Sequence, residues 1–222
     1  MKKLWVIGDS FTKLTGIEDE YIENYSKKYP TFNIESDGRD WPTLLSNKLG
    51  YELNLTSFPG GSNSMIIKHI LLTLQHISKD DILIVGWTRP TRFDIPVMNE
   101  IGNFATITNA NAAEHVDLKY DLNGALISYF EHVYIPHMDD YVKDGINTII
   151  NFSNFLNKTY KFKSYNWWDI PHESIRQEFP SMHDSHPSLK GHQQLFNAID
   201  KMEYGTISNW DSYHMYHSKN LD

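Results

Sequence analysis

The chain begins with a short apolar run that stops abruptly in a turn. Residues Leu4 to Ile7 are followed at once by Gly8, Asp9 and Ser10. A continuous apolar run of this length is typical of a strand buried on both faces, as strands of parallel sheets are. Because glycine permits a sharp turn, we expect the serine just beyond the carboxyl end of the strand. In open α/β sheets ligands bind at that edge.

Short apolar runs alternate with helical patterns through the rest of the chain. Asp40 before Trp41-Pro42 suits a helix N-cap, and Gly50 suits the end of that helix. Strand–helix–strand alternation favours a parallel sheet with helices on both faces. The further predicted elements are strands at 51–55, 82–86 and 160–168, and helices at 66–77, at 126–156 with a break near Pro136, and at 189–202.

The length suits one domain, although parts of it carry no clear pattern. A chain of 222 residues can bury a sizeable core. We expect a single domain over residues 1–202, with an irregular insertion at about 95–157. The tail, residues 203–222, is polar and aromatic without a period. It suggests an arm that packs on a neighbouring copy in a homo-oligomer.

Composition argues against several classes of protein. The chain has no cysteine, which removes disulfides, thiolate zinc sites and cysteine nucleophiles. A net charge of −8 without a basic stripe argues against a nucleic-acid partner. No apolar stretch approaches the roughly 20 residues of a membrane span. The apolar run after Met1 is too short for a signal peptide, so we expect a soluble protein, cytoplasmic by default.

Two distant segments carry the groups that a catalytic serine needs. A serine hydroxyl requires a base within hydrogen-bond reach and an acid that orients the base. Ser10 offers the hydroxyl, and its own backbone N–H could serve the oxyanion. Near the other end His186 precedes Pro187, and Asp184 lies two residues before the histidine, so both side chains can share one side of an extended segment. The alternatives are an ordinary turn and a helix-entry loop.

Two further turns follow the second and third predicted strands. Gly61, or in its place Gly60, could bring a backbone N–H close to a ligand. Thr88 could donate a hydroxyl hydrogen bond to the oxyanion. The alternatives are a capped helix start and a surface loop with solvated arginines. The residues that we consider for substrate binding at this edge are Asp9, Asn63, Trp87, Arg89 and Arg92.

Histidine and tryptophan each allow a second interpretation. His183, His186 and His192 form a cluster, but no pattern such as HExxH accompanies it, so we predict no metal site. The tryptophans could either stack on sugar rings or fill the core. They are Trp5, Trp41, Trp87, Trp167 and Trp168.

In their order along the chain, these segments resemble the short sequence blocks of the SGNH hydrolases, also called the GDSL esterase and lipase family. Gly8-Asp9-Ser10 matches the first block, with Ser10 at the nucleophile position. Gly60-Gly61 matches the glycine block, with Gly61 at the oxyanion position. Asp184, His186 and Pro187 match the last block. The resemblance spans residues 4 to 200 but depends on few positions.

One block departs from the family pattern. The family has Gly-x-Asn-Asp after the third strand, and the asparagine side chain completes the oxyanion hole. This chain has Gly86-Trp87-Thr88-Arg89, so Thr88 occupies the asparagine position. Loss of one such donor lowers the rate by about 100- to 1,000-fold. Either the Thr88 hydroxyl replaces the amide, or a neighbour such as Asn63 does, or activity is weak.

The resemblance implies a three-layer α/β/α fold of flavodoxin type with a mostly parallel central sheet. It also implies hydrolysis of a small-molecule or glycan ester, such as an acetylated carbohydrate, through an acyl-enzyme and without a cofactor. Two alternatives remain open: a catalytically weak or inactive module that binds a glycan or a protein partner, and acyl transfer in place of hydrolysis. The roles that the resemblance implies are attack by Ser10, proton transfer by His186, orientation by Asp184, and oxyanion binding by the Ser10 and Gly61 amides with Thr88.

Overall fold

The computed structural model describes residues 1–9, 12, 40–58, 61–96, 104–107, 132–133, 135–166 and 189–210. The strands are β1 (Lys3–Asp9), β2 (Glu52–Phe58), β3 (Ile82–Trp87), β4 (Phe93–Pro96), β5 (Phe104–Ile107) and β6 (Lys161–Asn166). The α-helices are α1 (Trp41–Leu49), α2 (Asn63–Thr73), α3 (Met138–Asn157) and α4 (Leu189–Lys201), and 3-10 turns lie at Leu74–His76 and Ile135–His137. The main sheet has the order β2-β1-β3-β6, with every neighbouring pair parallel. β4 and β5 form a separate antiparallel pair.

Helices cover both faces of the main sheet. One core cluster lies between the sheet and helices α1 and α4, and the other lies between the sheet and helices α2 and α3. Along β3, Ile82 and Ile84 point to the first cluster, while Leu83 and Val85 point to the second, as the two-residue period of a strand requires. All four side chains are buried. The three-layer α/β/α fold with a parallel sheet is therefore confirmed.

The helix starts that capping residues predict are present. Asp40 is the N-cap of α1, because its Oδ1 accepts a hydrogen bond from the backbone N–H of Thr43 at 3.1 Å. Gly50 ends that helix with φ 66°, a left-handed conformation that glycine adopts without strain. Ser62 caps α2 by accepting from the N–H of Met65 at 3.1 Å. These local signals determine where helices α1 and α2 begin.

The described residues between 95 and 157 include regular elements. β5 pairs with β4, and α3 forms one helix of 20 residues that begins just after Pro136. This helix buries Val142, Ile146 and Ile149 in the cluster that it shares with α2. It is therefore a core helix of the main domain and not part of an irregular insertion. Polar residues on its solvent face dilute the apolar pattern that would have marked it.

The first part of the tail packs on its own chain. The N–H of Gly205 donates to the carbonyl of Phe162 at 2.8 Å. The N–H of Ser164 donates to the carbonyl of Thr206 at 2.9 Å. Trp210 is buried in the α2–α3 cluster. These contacts pack residues 203–210 along β6, at the edge of the sheet that the described residues form. Residues 211–222 lie outside the described residues, and the contact with a neighbouring copy stays a prediction.

Asp81 joins the start of β3 to β1. Its carboxylate accepts hydrogen bonds from the backbone N–H of Lys3 at 2.8 Å, the backbone N–H of Ser78 at 2.9 Å and the indole N–H of Trp5 at 3.2 Å. Burial by itself raises the pKa of Asp81, but the hydrogen bonds outweigh it, so the pKa lies below its ordinary value. The folded protein therefore favours the charged carboxylate.

Replacement of Asp81 by asparagine is expected to lower the free energy of unfolding at neutral pH by about 1–3 kcal/mol. The amide NH2 cannot accept from the N–H groups that face it. Because the folded-state pKa is lowered, the contribution of the carboxylate is present above the ordinary aspartate pKa and is lost as pH falls through the folded-state value. In urea unfolding, the gap between wild type and variant should be constant near neutrality and shrink below about pH 4. The exposed neighbour, changed as Asp80→Asn, is the control, and a gap that persists unchanged in acid would contradict the assignment.

Candidate active site

The carboxyl ends of three neighbouring strands bring the predicted site segments to one edge of the sheet. In register, Gly8 of β1 lies between Ser57 of β2 and Gly86 of β3. The three strands are parallel, so the loops that leave them begin side by side. The residues that follow, Gly61 after β2 and Thr88 after β3, are both buried.

Two glycines allow very close packing at this edge. A Cβ on Gly8 would lie 2.6 Å from the carbonyl oxygen of Gly86 and would overlap the Thr12 methyl group. A Cβ on Gly86 would lie 2.7 Å from the hydroxyl of Tyr165. The Thr12 hydroxyl donates to the carbonyl of Asp9, and no side chain could fit between these groups.

Asp9 is buried and faces a cation. The residue is 2% exposed, and its Oδ2 lies 3.9 Å from Nη1 of Arg92. Burial lowers the pKa of Arg92, the Asp9 carboxylate opposes that shift, and nearby Arg89 adds to it. The carbonyl of Asp9 also accepts from the Ser57 hydroxyl at 2.8 Å. Asp9 therefore balances a buried guanidinium and closes the end of β1.

Asn63 holds the backbone of Thr88 with both the NH2 group and the carbonyl oxygen of its side-chain amide. Its Nδ2 donates to the Thr88 carbonyl at 2.9 Å, and its Oδ1 accepts from the Thr88 N–H at 2.9 Å. Both residues are buried. Thr88 lies just past the end of β3, and the asparagine amide supplies the paired donor and acceptor that its backbone needs there. The first turn of α2 is thereby fastened to the loop after β3.

Arg92 converges on the same loop. Its Nη1 donates to Oγ1 of Thr88 at 2.6 Å and approaches the carbonyl oxygen of Gly61 at 3.4 Å. A turn in which the N–H of Arg92 donates to the carbonyl of Arg89 at 3.1 Å directs the side chain back over Thr88. The Arg92 side chain is only 16% exposed. It is an inward-facing arginine and not a solvated surface cation.

Gly61 lies in a tight turn. Its N–H donates to the carbonyl of Phe58 at 2.9 Å, and a Cβ at this position would lie 2.6 Å from Cβ of Phe58. The glycine is therefore sterically required. Its amide hydrogen is engaged within the turn, so oxyanion binding by Gly61 stays a prediction that would require this bond to be shared or exchanged. The adjacent Ser62 hydroxyl donates to Oδ2 of Asp94 at 2.5 Å and ties the turn to β4.

The start of α4 lies at the same edge of the sheet. The backbone N–H of Trp41 donates to Nδ1 of His192, in the first part of α4, at 3.4 Å. Trp41 also packs edge-on against Tyr165, with ring centroids 5.6 Å apart. Tyr165 pairs with Gly86 in the sheet. Burial and, to a smaller extent, the Asp9 charge raise the pKa of the Tyr165 hydroxyl, so it stays neutral beneath the site.

The structure unites part of the predicted site and does not describe the rest. It brings together Asp9, Gly61, Asn63, Thr88 and Arg92, while Arg89 is exposed at the rim. No sequence pattern marks the parts played by Thr12 and Tyr165, because packing across the sheet places both. Outside the described residues lie Ser10, Gly60, His183, Asp184 and His186.

Two of the tryptophans considered for sugar stacking are buried in the core, and a third lies away from the candidate site. Trp41 is 0% and Trp87 1% exposed, and each lies in a core cluster. Trp5 is partly buried and directs its indole N–H to Asp81 at the opposite end of the sheet. Trp87 is therefore a core residue and not the substrate contact expected from the sequence, and Trp167 and Trp168 lie outside the described residues.

The described residues hold no group of three or more histidine, aspartate or glutamate side chains that could bind a metal ion. Among these same residues, no helix combines the length and apolar character needed to cross a bilayer.

The fold has the layers and parallel sheet that the resemblance to the SGNH hydrolases implies. Two solved structures are similar to the chain. The first is a lipolytic protein of the G-D-S-L family from Desulfitobacterium hafniense DCB-2, with 13% identity, a TM-score of 0.39, and coverage of 90% of this chain and 99% of that one. The second is a variant of an acetyl xylan esterase from Geobacillus stearothermophilus, with 13% identity, a TM-score of 0.34, and coverage of 89% and 92%.

At these values neither likeness assigns an activity to the chain. No protein-family model matches it, and no curated protein sequence does. The fold and the buried polar cluster at the carboxyl edge define an α/β protein with a candidate active site at the ends of β1, β2 and β3.

Proposed function

We propose that the protein is a serine ester hydrolase in which Ser10 is the nucleophile, His186 the base and Asp184 the acid that orients it. The observation that carries the proposal is the end of β1. Asp9, to which Ser10 is bonded, is buried at the sheet edge within a cluster that includes the Thr88 hydroxyl and Arg92. A serine that follows Asp9 would lie close to the Thr88 hydroxyl, which can donate a hydrogen bond.

The position of α4 supports the other half of the triad. Helix α4 begins at Leu189, three residues after His186 in the sequence. Its first turns contact the start of α1 through His192, at the carboxyl edge of the sheet. Helix α4 therefore begins at the edge where β1 ends, which supports the proposal that Asp184 and His186, shortly before it in the sequence, act on Ser10.

The proposed reaction is an acyl transfer to serine followed by hydrolysis. Oγ of Ser10 attacks the ester carbonyl carbon while His186 removes its proton, and the carbonyl π electrons move to the oxygen. The Ser10 N–H and the Thr88 hydroxyl stabilise that oxyanion. Collapse expels the alcohol, which takes the proton from His186. A water then attacks the acyl-enzyme by the same steps and releases the acid and free Ser10.

The proposed substrate is a small-molecule or glycan ester, and acetyl esters are the first to test. A second candidate, a weakly active or inactive module that binds a glycan or a protein partner, is favoured by one observation. The amide of Gly61 is engaged with the Phe58 carbonyl, which leaves the oxyanion hole with fewer free donors. Turnover that depends on Ser10 would decide between the two.

Covalent labelling gives the direct test. A fluorophosphonate probe should label the folded protein at one site, and peptide mass spectrometry should map the adduct to Ser10, because only an activated serine reacts rapidly. Labelling should fall to background in His186→Ala and in protein unfolded in urea. Folded wild-type protein that remains unlabelled and hydrolyses no ester of an acetyl panel would refute the proposal and favour the binding module.

A further inference from the structure

We infer that Arg92 is a positioning residue that makes Thr88 an oxyanion donor. Its guanidinium turns the Thr88 hydroxyl hydrogen away from itself, which leaves that hydrogen to donate to an oxyanion. This inference rests on the proposed function, and it assigns Arg92 a role other than the substrate binding expected from the sequence. It explains how a threonine works where related enzymes carry an asparagine.

Two contacts fix Thr88 before any substrate arrives. Asn63 satisfies the N–H and the carbonyl of Thr88 at 2.9 Å each, so the backbone cannot move without breaking two buried hydrogen bonds. Arg92 then donates to Oγ1 at 2.6 Å. The side chain of Thr88 is therefore held at its backbone and at its oxygen, and only the hydroxyl hydrogen remains to be placed.

The arginine decides where that hydrogen points. A hydroxyl has one hydrogen to donate and two lone pairs that accept. Because Arg92 can only donate, it occupies a lone pair of Oγ1, and its positive charge repels the hydroxyl hydrogen. The O–H bond must then turn away from the guanidinium and is free to donate elsewhere. A donor that itself accepts a charge-assisted hydrogen bond is also strengthened.

The surroundings of Arg92 suit an internal role. Nη1 lies 3.4 Å from the Gly61 carbonyl and 3.9 Å from the Asp9 carboxylate, so polar groups from three strand ends surround it. The alternative is that Arg92 binds an anion on the substrate. Its Nε is buried without a hydrogen-bond partner among the described residues, which makes that alternative worth testing directly.

The test is a double-mutant cycle on kcat with two esters. The variants are Thr88→Val, Arg92→Met and the double variant, with p-nitrophenyl acetate as neutral substrate and p-nitrophenyl hydrogen succinate as its anionic counterpart. We expect Arg92→Met to lower kcat by up to about 100-fold on both esters, at the lower end of the loss of an oxyanion donor, with KM unchanged. In the Thr88→Val background the same change should cost little, because the group that it positions is already gone.

Several outcomes would overturn the inference. Losses in kcat that add in the double variant would show that Arg92 acts independently of Thr88. A rise in KM confined to the succinate would show that Arg92 binds substrate. If Arg92→Met does not fold, the cycle is run with Arg92→Gln, which removes the charge and presents an amide that can also accept a hydrogen bond, and the same criteria apply.

Turnover that is equal in wild type and Ser10→Ala removes the proposed function and this inference together, whereas Ser10-dependent turnover with an additive cycle removes only the inference. Lys48→Met, which removes a cation paired with Asp200 on the α1–α4 side, is the control and should leave kcat unchanged.

Discussion

Replacement of Ser10 by alanine is expected to lower kcat for p-nitrophenyl acetate by about 10⁴- to 10⁶-fold, the scale of losing a nucleophile in a serine triad. The remaining methyl group cannot form an acyl-enzyme, and any residual rate comes from binding and oxyanion stabilisation alone. KM should change little, because Ser10 Oγ acts mainly in the transition state. Initial rates under saturating substrate, with the fold checked by circular dichroism, give the measurement.

The same series tests whether the triad acts as a unit. His186→Ala should match Ser10→Ala, and the double variant should be no slower than either single variant, because residues of one catalytic unit are not additive. His137→Ala is the matched control, since this exposed histidine lies in the turn before α3. A Ser10→Ala protein that keeps wild-type turnover would disprove the triad, whatever the effect at His186.

Replacement of Gly8 by alanine is expected to destabilise the protein by at least about 3 kcal/mol, at or beyond the upper range for overpacking. The new Cβ would lie 2.6 Å from the Gly86 carbonyl oxygen and 3.1 Å from Gly86 Cα. Both are backbone atoms of a paired strand, so they cannot rotate away as a flexible side chain could. Relief would require β1 and β3 to separate at the edge where the candidate site lies.

Gly145→Ala is the matched control for this change. Gly145 lies within α3, and a Cβ there would meet Pro90 at ordinary contact distances of 3.7 and 3.8 Å. Alanine in a helix interior should stabilise by roughly 0.5–1 kcal/mol relative to glycine. Urea unfolding of both variants should therefore give effects of opposite sign. A Gly8→Ala protein as stable as wild type would show that β1 and β3 do not pack in this way.

The main strands and two helix caps could be predicted because their signals are local. The apolar run that ends at Val85 predicts a strand buried on both faces. In the structure its alternate side chains pack against the helix layers on the two sides of the sheet. Asp40 and Ser62 predict helix starts because an N-cap depends on the next three residues alone. The core position of α3 was less evident, because only five of its 20 residues are buried.

The sequence predicted which residues lie at the candidate site but not which groups they contact. Sequence reasoning placed Asn63, Thr88 and Arg92 at one edge, but it treated Asn63 as an alternative donor and Arg92 as a substrate contact. In the structure Asn63 pairs with the Thr88 backbone, and Arg92 donates to the Thr88 hydroxyl. Asn63 and Thr88 are 25 residues apart and Arg92 and Thr88 are four apart, and both contacts depend on side-chain directions that no sequence pattern encodes.

The amino-acid sequence by itself determined the order of strands and helices, the turns that end them, and the polar residues that follow each strand. These features follow from the periodicity and backbone preferences of neighbouring residues. Only the tertiary structure decided which of those polar groups are buried against one another, that Trp87 fills the core, and that residues 203–210 cover β6. Burial and hydrogen-bond pairing are properties of groups that meet after the chain has folded, and their partners are distant in sequence.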